Sequence, residues 1–178
     1  MPSSTPSSTK IRAVSTGRDA IALLKDDHKK VRALLGEMEE TTDKAVGKRS
    51  KLLASIEQEL TIHTRIEEEI FYPAFRDAAR KKDDAKLYFE AIEEHHVVDM
   101  VLPELKVTRV DSEQFAAKAK VLKELVEHHA EEEEAEMFPR ARKLMDREEL
   151  LRLGGEMAKA KESIARGIVG RLAGLVGI

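Results

Sequence analysis

Two stretches of this chain are built to one plan. LTIHTRIEEEIFYP (60–73) and VEHHAEEEEAEMFP (126–139) each place a histidine four residues before a glutamate: His63 before Glu67, and His129 before Glu133. Each stretch closes on an aromatic residue and a proline, Tyr72–Pro73 and Phe138–Pro139, and every matching position is separated by 66 residues. Residues i and i+4 are neighbours on one face of a helix. HxxxE therefore aims an imidazole and a carboxylate into the same space. A chain that does this twice is built to bring two such helix faces together.

The duplication extends beyond these stretches. DHKKVRALLGEM (27–38) aligns with EHHVVDMVLPEL (94–105) at an offset of 67, which sets His28 on His95, Val31 on Val98 and Glu37 on Glu104. The unit is a helix with a central His followed by a helix with HxxxE, used twice. The repeat selects His95 over His96, and His129 over His128.

Apolar periodicity supports four long helices. The first starts near an N-cap at Asp19 and runs to about Thr42, with Ile21, Leu24, His28, Val31, Leu35 and Met38 on one stripe. The second, from about Lys48 to Arg80, carries Leu53, Ile56, Leu60, His63, Glu67 and Ile70, with a kink or interruption expected near Pro73. The third, from about Asp83 to Val107, carries Tyr88, Ala91, His95, Val98, Leu102 and Leu105 and is expected to bend at Pro103. The fourth begins at a cap around Asp111–Ser112 and carries Phe115, Ala119, Leu122, Val126, His129 and Glu133, with Leu125 and Glu132 competing for the same face. Asp146 with Glu149 forms the pattern of a capping box for a last helix, from about Arg147 to Leu172. Short connections make neighbours antiparallel. The expected fold is all-α: an up-and-down antiparallel four-helix bundle with an additional C-terminal helix. This divides the chain into a disordered tail (1–16), the bundle (17–145) and a C-terminal helix with an apolar tail (146–178).

Composition narrows the chemistry. The 31 basic and 34 acidic residues give a formal charge of −3, which offers no attraction to nucleic acid or an anionic membrane. The absence of cysteine removes disulfides, thiolate metal sites and thiol nucleophiles, and is compatible with a cytoplasmic protein. MPSSTPSSTK has no apolar core and does not fit a secretory signal. IARGIVGRLAGLVGI (164–178) falls short of the roughly 20 apolar residues that cross a bilayer and is interrupted by Arg166 and Arg171. It is expected to end a helix rather than touch a membrane. Nothing in the sequence sets the oligomeric state.

Four histidines and two glutamates thus converge on the interior of the expected bundle. Two buried carboxylates without partners are very costly. A raised pKa is one escape; a cation is the other, and the surrounding imidazoles favour it. Nitrogen and oxygen donors without sulfur suit iron, manganese or zinc. Two repeats with similar donor sets suit a dinuclear centre in which Glu67 and Glu133 bridge, its excess positive charge balanced by an oxide or hydroxide. Glu68, Glu132 and Glu134 are further candidate oxygen ligands. Asp99, four residues after His95, and Tyr88, two turns before it, are candidates to face the site. His96 and His128 are expected at its rim or behind the ligands.

These residues resemble the hemerythrin-like family, also called HHE cation-binding domains. The matching motifs are DHxxV around His28, HxxxEEEIFYP from His63, EHHxV around His95 and HxxxEEAEMFP from His129, together spanning about residues 19–145. The resemblance implies a four-helix bundle around a non-haem di-iron centre, with His28, His63, Glu67, His95, His129 and Glu133 as ligands. The chain departs from the respiratory oxygen carriers of that family at Asp99, where they have a fifth histidine. A more acidic site favours oxidised iron and argues against reversible dioxygen carriage. Members lacking that histidine are associated with iron or oxygen sensing, nitric oxide handling and peroxide chemistry. The iron–sulfur repair branch typically has a Cys-bearing N-terminal segment, which this chain lacks.

The functional expectation is a di-iron protein that binds or reacts with dioxygen, peroxide or nitric oxide, a binding protein more than an enzyme. The alternative is a non-catalytic iron- or zinc-binding stress-response module. A ferritin-like oxidase is disfavoured, because the one Glu-x-x-His match, Glu93 to His96, lies off the stripe.

Overall fold

The computed structural model describes residues 17–176, and side chains as far as residue 170 except at 169. The expected N-terminal tail falls outside the described residues. Helix α1 (Ala20–Glu39) starts at the expected cap, where an Asp19 oxygen accepts from the Ala22 N–H at 2.8 Å. It is followed by α2 (Val46–Ile66), α3 (Tyr72–Ala78), α4 (Lys82–Val107), α5 (Glu113–Glu132), α6 (Phe138–Leu144) and α7 (Arg147–Val176). There is no strand among the described residues. Ser112 caps α5 by accepting from the Phe115 N–H at 3.1 Å, and Asp146 caps α7 by accepting from the Glu149 N–H at 2.8 Å. The Glu149 side chain turns to Arg152 rather than completing the expected box.

Helices α1, α2, α4 and α5 form the antiparallel up-and-down bundle. Helix α1 packs on α2 and α5, and α4 on α5. All six stripe residues of α1 are buried, as are the six expected on α5, so Leu125 and Glu132 do not take that face. Helix α4 continues as one α-helix through Pro103. That proline lies near the helix end on an exposed position, where water can satisfy the carbonyl it leaves free.

Pro73 and Pro139 act differently. Helix α2 gives way to a π-helical turn at Glu67–Phe71, and α5 to another at Glu133–Met137. In each, the first residue after the turn, Tyr72 or Phe138, donates its N–H to the carbonyl of the glutamate. The wider turn relieves the crowding that a proline imposes on the preceding carbonyls, and each proline sits at the start of the short helix that follows. The extra residue also changes the phase. Phe71 and Tyr72 are buried, whereas Ile70, expected on the stripe, is half-buried.

The apolar interior is in two parts. One holds Ile21, Leu24, Ile66, Phe71, Phe75, Phe138 and the inner face of α7; the other holds Val31, Leu35, Ile56, Leu60, Leu102, Phe115 and Leu122. The polar stripe residues lie between them. At the far end, buried Arg49 ties the two interhelix connections together, donating to the Thr41 and Val110 carbonyls at 3.0 and 2.7 Å and lying over the Phe115 ring.

Helix α7 lies on α1 and α2. Gly154 makes close approach to α1 feasible: a Cβ there would press into the Arg18 backbone and stand 2.8 Å from the Ala20 nitrogen. Seven residues further along both helices, Lys161 meets Asp27. Helices α1 and α7 therefore run parallel and in register. No described helix is long and apolar enough to cross a membrane.

Candidate metal centre

The layer between the two apolar parts holds His28 from α1, His63 from α2, His95 from α4 and His129 from α5, together with Glu67 and Glu133, which open the two π turns. All six are buried. Their inward atoms crowd one small volume. His63 Nε2 lies 3.1 Å from Glu67 Oε2, and His95 Nε2 lies 3.3 Å from the same oxygen. His28 Nε2 lies 3.2 Å and His129 Nε2 3.7 Å from Glu133 Oε2. Donor atoms of His28, His63, Glu67 and Glu133 fall within 4.8 Å of one another, as do those of Glu67, His95 and His129. Two metal-sized groups thus share Glu67.

A second ring of carboxylates surrounds this layer. The outward Nδ1 of His28 meets Glu134 at 3.0 Å, that of His95 meets Glu68 at 3.0 Å, and that of His129 meets Glu94 at 2.7 Å. His63 Nδ1 faces Asp27 Oδ2 at 3.7 Å. Such pairings fix a ring's tautomer and orientation and strengthen its inward nitrogen as a donor. The pattern obeys the sequence repeat. Glu68 and Glu134 follow the two site glutamates, and Asp27 and Glu94 precede His28 and His95. Glu68 and Glu134, expected as extra oxygen ligands, instead support histidines on the opposite hairpin.

The electrostatics of the cluster call for a cation. Burial and the neighbouring charge of Glu133 push the Glu67 carboxyl well above the usual range. Burial also opposes ionisation of Glu133, but His129 and His28 outweigh it and bring that group down to about 2. One carboxylate is stable here and the second resists. Burial lowers His63 to about 4, leaving it neutral and free to ligate near pH 7. For His28 and His129 burial acts in the same sense, but Glu133 outweighs it and holds both above their ordinary value. Among the described residues, the buried side-chain polar atoms lacking a hydrogen-bond partner are Asp27 Oδ2, His28 Nε2, His63 Nδ1, both Glu67 oxygens and Glu133 Oε2. Every one belongs to this cluster. A donor set of imidazoles and carboxylates with inward atoms left over fits a pair of first-row metal ions.

The remaining candidates lie elsewhere. Asp99 is exposed, because Val98 and Leu102 take the inward face of α4 beyond His95. Tyr88 packs edge-on against Tyr72, with centroids 6.3 Å apart, and does not replace it at the centre. Tyr72, which sequence reasoning overlooked, is fully buried and donates from Oη to Glu133 Oε1 at 3.0 Å. Its repeat partner, Phe138, stacks on His28 at 5.7 Å, as Tyr72 leans on His95 at 5.5 Å. His96 is exposed and faces Glu93 at 3.6 Å. Exposed His128 lies between half-buried Glu94 and Glu132, 3.4 Å from each, outside the centre, so Glu132 does not enter it. Asp27, Glu94 and Tyr72 were all visible as repeated positions beside the ligands; Lys161 left no such signal.

A cavity of about 20 Å³ adjoins the four histidines and is otherwise walled mainly by Val31, Leu60, Val98 and Val126. It has room for roughly one water-sized molecule.

The hemerythrin HHE cation binding domain model matches residues 19–141. A solved hemerythrin HHE cation binding domain-containing protein from Mycobacterium kansasii is similar, with a TM-score of 0.76 and 29% identity, the match covering 87% of this chain and 92% of that one. A curated protein from a Nostoc species, named a DNA nickase, is 26% identical over 152 residues, which are 85% of this chain and 42% of that protein. This chain therefore spans less than half the length of that relative.

Proposed function

Because this chain belongs to the hemerythrin HHE cation-binding family, we propose that it holds a non-haem di-iron centre at His28, His63, Glu67, His95, His129 and Glu133 and uses it to bind or react with a small oxidant: dioxygen, peroxide or nitric oxide. The observation behind this reading is the buried layer of imidazoles and carboxylates in which His28 Nε2, both Glu67 oxygens and Glu133 Oε2 have no hydrogen-bond partner. Bound iron supplies redox chemistry and a coordination position for the small ligand. The chain's own residues do the rest. Glu68, Glu94, Glu134 and Asp27 orient the imidazoles. Tyr72 holds one Glu133 oxygen and places a hydroxyl beside the donors. Val31, Leu60, Val98 and Val126 limit any guest in the adjoining space to a very small molecule. Sensing, storage and detoxification are all within reach of such a site.

A second reading, a metal-binding module without small-ligand chemistry, is favoured by the tightness of that same space. One experiment separates the two. The protein is purified without chelator, its metals are counted, and its visible spectrum is followed through reduction and then exposure to air, peroxide or nitric oxide. Two irons per chain with a spectrum that bleaches and returns support the oxidant reading. Zinc, or iron indifferent to every small ligand, supports the module. A folded protein that takes up no metal would falsify both.

A further inference from the structure

We propose that α7, which lies beyond the segment matching the family, sets one of the two metal positions through a relay from Lys161 to Asp27 to His63. Lys161 is a positioning residue in this scheme, and the scheme rests on the metal-binding reading above.

The four outward ring nitrogens are not served alike. His28, His95 and His129 meet glutamates whose side chains are 26%, 40% and 23% exposed, where water can share in holding them. His63 meets Asp27, whose side chain is 9% exposed. A buried carboxylate needs a cation, and the Lys161 ammonium supplies it by pairing with Oδ1. That leaves Oδ2 turned toward His63 Nδ1 at 3.7 Å, and neither of these two atoms has a hydrogen-bond partner among the described residues. The division of the two oxygens between lysine and imidazole fixes the plane of the carboxylate.

Lys161 in turn depends on how α7 is seated. Met157 and Ile164, one turn to either side of it, are buried. Gly154, two turns before it, permits the backbone contact with α1 that keeps the two parallel helices in register. A displaced α7 removes the cation from Asp27 and the orienting partner from His63. The His95–His129 position relies on Glu68 and Glu94, neither of which pairs with a side chain of α7 among the described residues, although α7 packs on the turn that carries Glu68.

The test compares wild type, Lys161→Met, Lys161→Arg and Gly154→Ala, each loaded with iron, by the rate at which reduced iron passes to a ferrous chelator. In Lys161→Met and Gly154→Ala, one iron is expected to leave about 10-fold faster and the other at the wild-type rate. Lys161→Arg restores slow release. A second readout uses zinc-loaded protein: the His63 ring ¹⁵N resonances move in Lys161→Met while those of His95 and His129 stay. If both irons speed up together, or if Lys161→Met releases iron as wild type does with His63 resonances unmoved, the relay is wrong though the metal reading stands. A wild type that binds no metal overturns the reading and the relay with it.

Discussion

The hairpin of α1 and α2 and the hairpin of α4 and α5 descend from one pattern, yet they do not serve the centre equally. Each offers a central histidine, an HxxxE pair opening a π turn, a carboxylate before the first histidine and another after the glutamate. The differences are small in atoms. Where the second hairpin has Glu94, the first has Asp27, one methylene shorter. The imidazole contact lengthens from 2.7 to 3.7 Å, and a lysine from α7 occupies the other oxygen. Where the second hairpin has Phe138, the first has Tyr72, so a hydroxyl stands near His95 and no hydroxyl near His28. Glu67 Oε2 lies 3.1 and 3.3 Å from His63 and His95, whereas Glu133 Oε2 is nearer His28, at 3.2 Å, than His129, at 3.7 Å. A duplicated scaffold thus yields two inequivalent donor groups, with the distinction written largely in the residues behind the inward histidines.

The two hairpins should differ most at the glutamates. Glu67→Gln is expected to empty both positions, and Glu133→Gln chiefly the one at His28 and His63; metal analysis of the purified variants checks this. Equal losses would show the two glutamates to be interchangeable.

Proton linkage separates His63 from its neighbour in the metal-free protein. His63 is held to about 4 against about 6.5 when unfolded, so its contribution is present above 6.5 and lost as pH falls toward 4, a change of about 3 kcal/mol. His28 is raised, so its contribution is present below 6.5 and lost as pH rises through its folded value. Urea unfolding across pH 4–8 should therefore show a shallower acid-side loss for His63→Gln than for wild type, and a steeper one for His28→Gln.

The helix starts offer a third contrast. Asp84 is buried, accepts from the Arg80 and Lys81 N–H groups at 3.0 Å and pairs with Arg140; Asp19, more open, caps α1 and pairs with Arg142 at 3.2 Å. Asp84→Asn is expected to cost about 3 kcal/mol and Asp19→Ala about 1 kcal/mol, both read from denaturant midpoints. An effect of similar size is expected for Tyr72→Phe, which makes the two halves alike. Loss of its hydrogen bond to Glu133 costs about 1 kcal/mol, and the metal spectrum, rather than the metal count, should change.

The buried donor layer was legible in the sequence because polar residues at core-phase positions have few physical excuses, and the repeat removed the choice between adjacent histidines. The bundle was legible for the same reason, through stripes that stay in phase over whole helices. The sequence did not assign the outer carboxylates. Glu68 and Glu134 lie off the stripe of their own helices, and only the packing of the opposite hairpin gives them a histidine to hold. Asp99 was placed inward by its i+4 spacing from His95, yet Val98 and Leu102 take that face. Tyr72 was overlooked because an α-helical phase does not carry it to the centre; beyond the π turn its hydroxyl meets Glu133. Arg49 and Lys161 act through contacts distant in sequence, which periodicity does not encode.

The ligand layer also interrupts the apolar core along its length. Without a cation, two greasy ends are joined by a plane in which two carboxylates compete for one stable charge. The molecule is then mechanically two short bundles in series, sharing helices but not a continuous interior. Whether it melts as one body or comes apart from its ends is decided at that joint. Metal occupancy should be readable as cooperativity: a broad, divided thermal transition for the empty chain, and a single sharp one once the joint is filled.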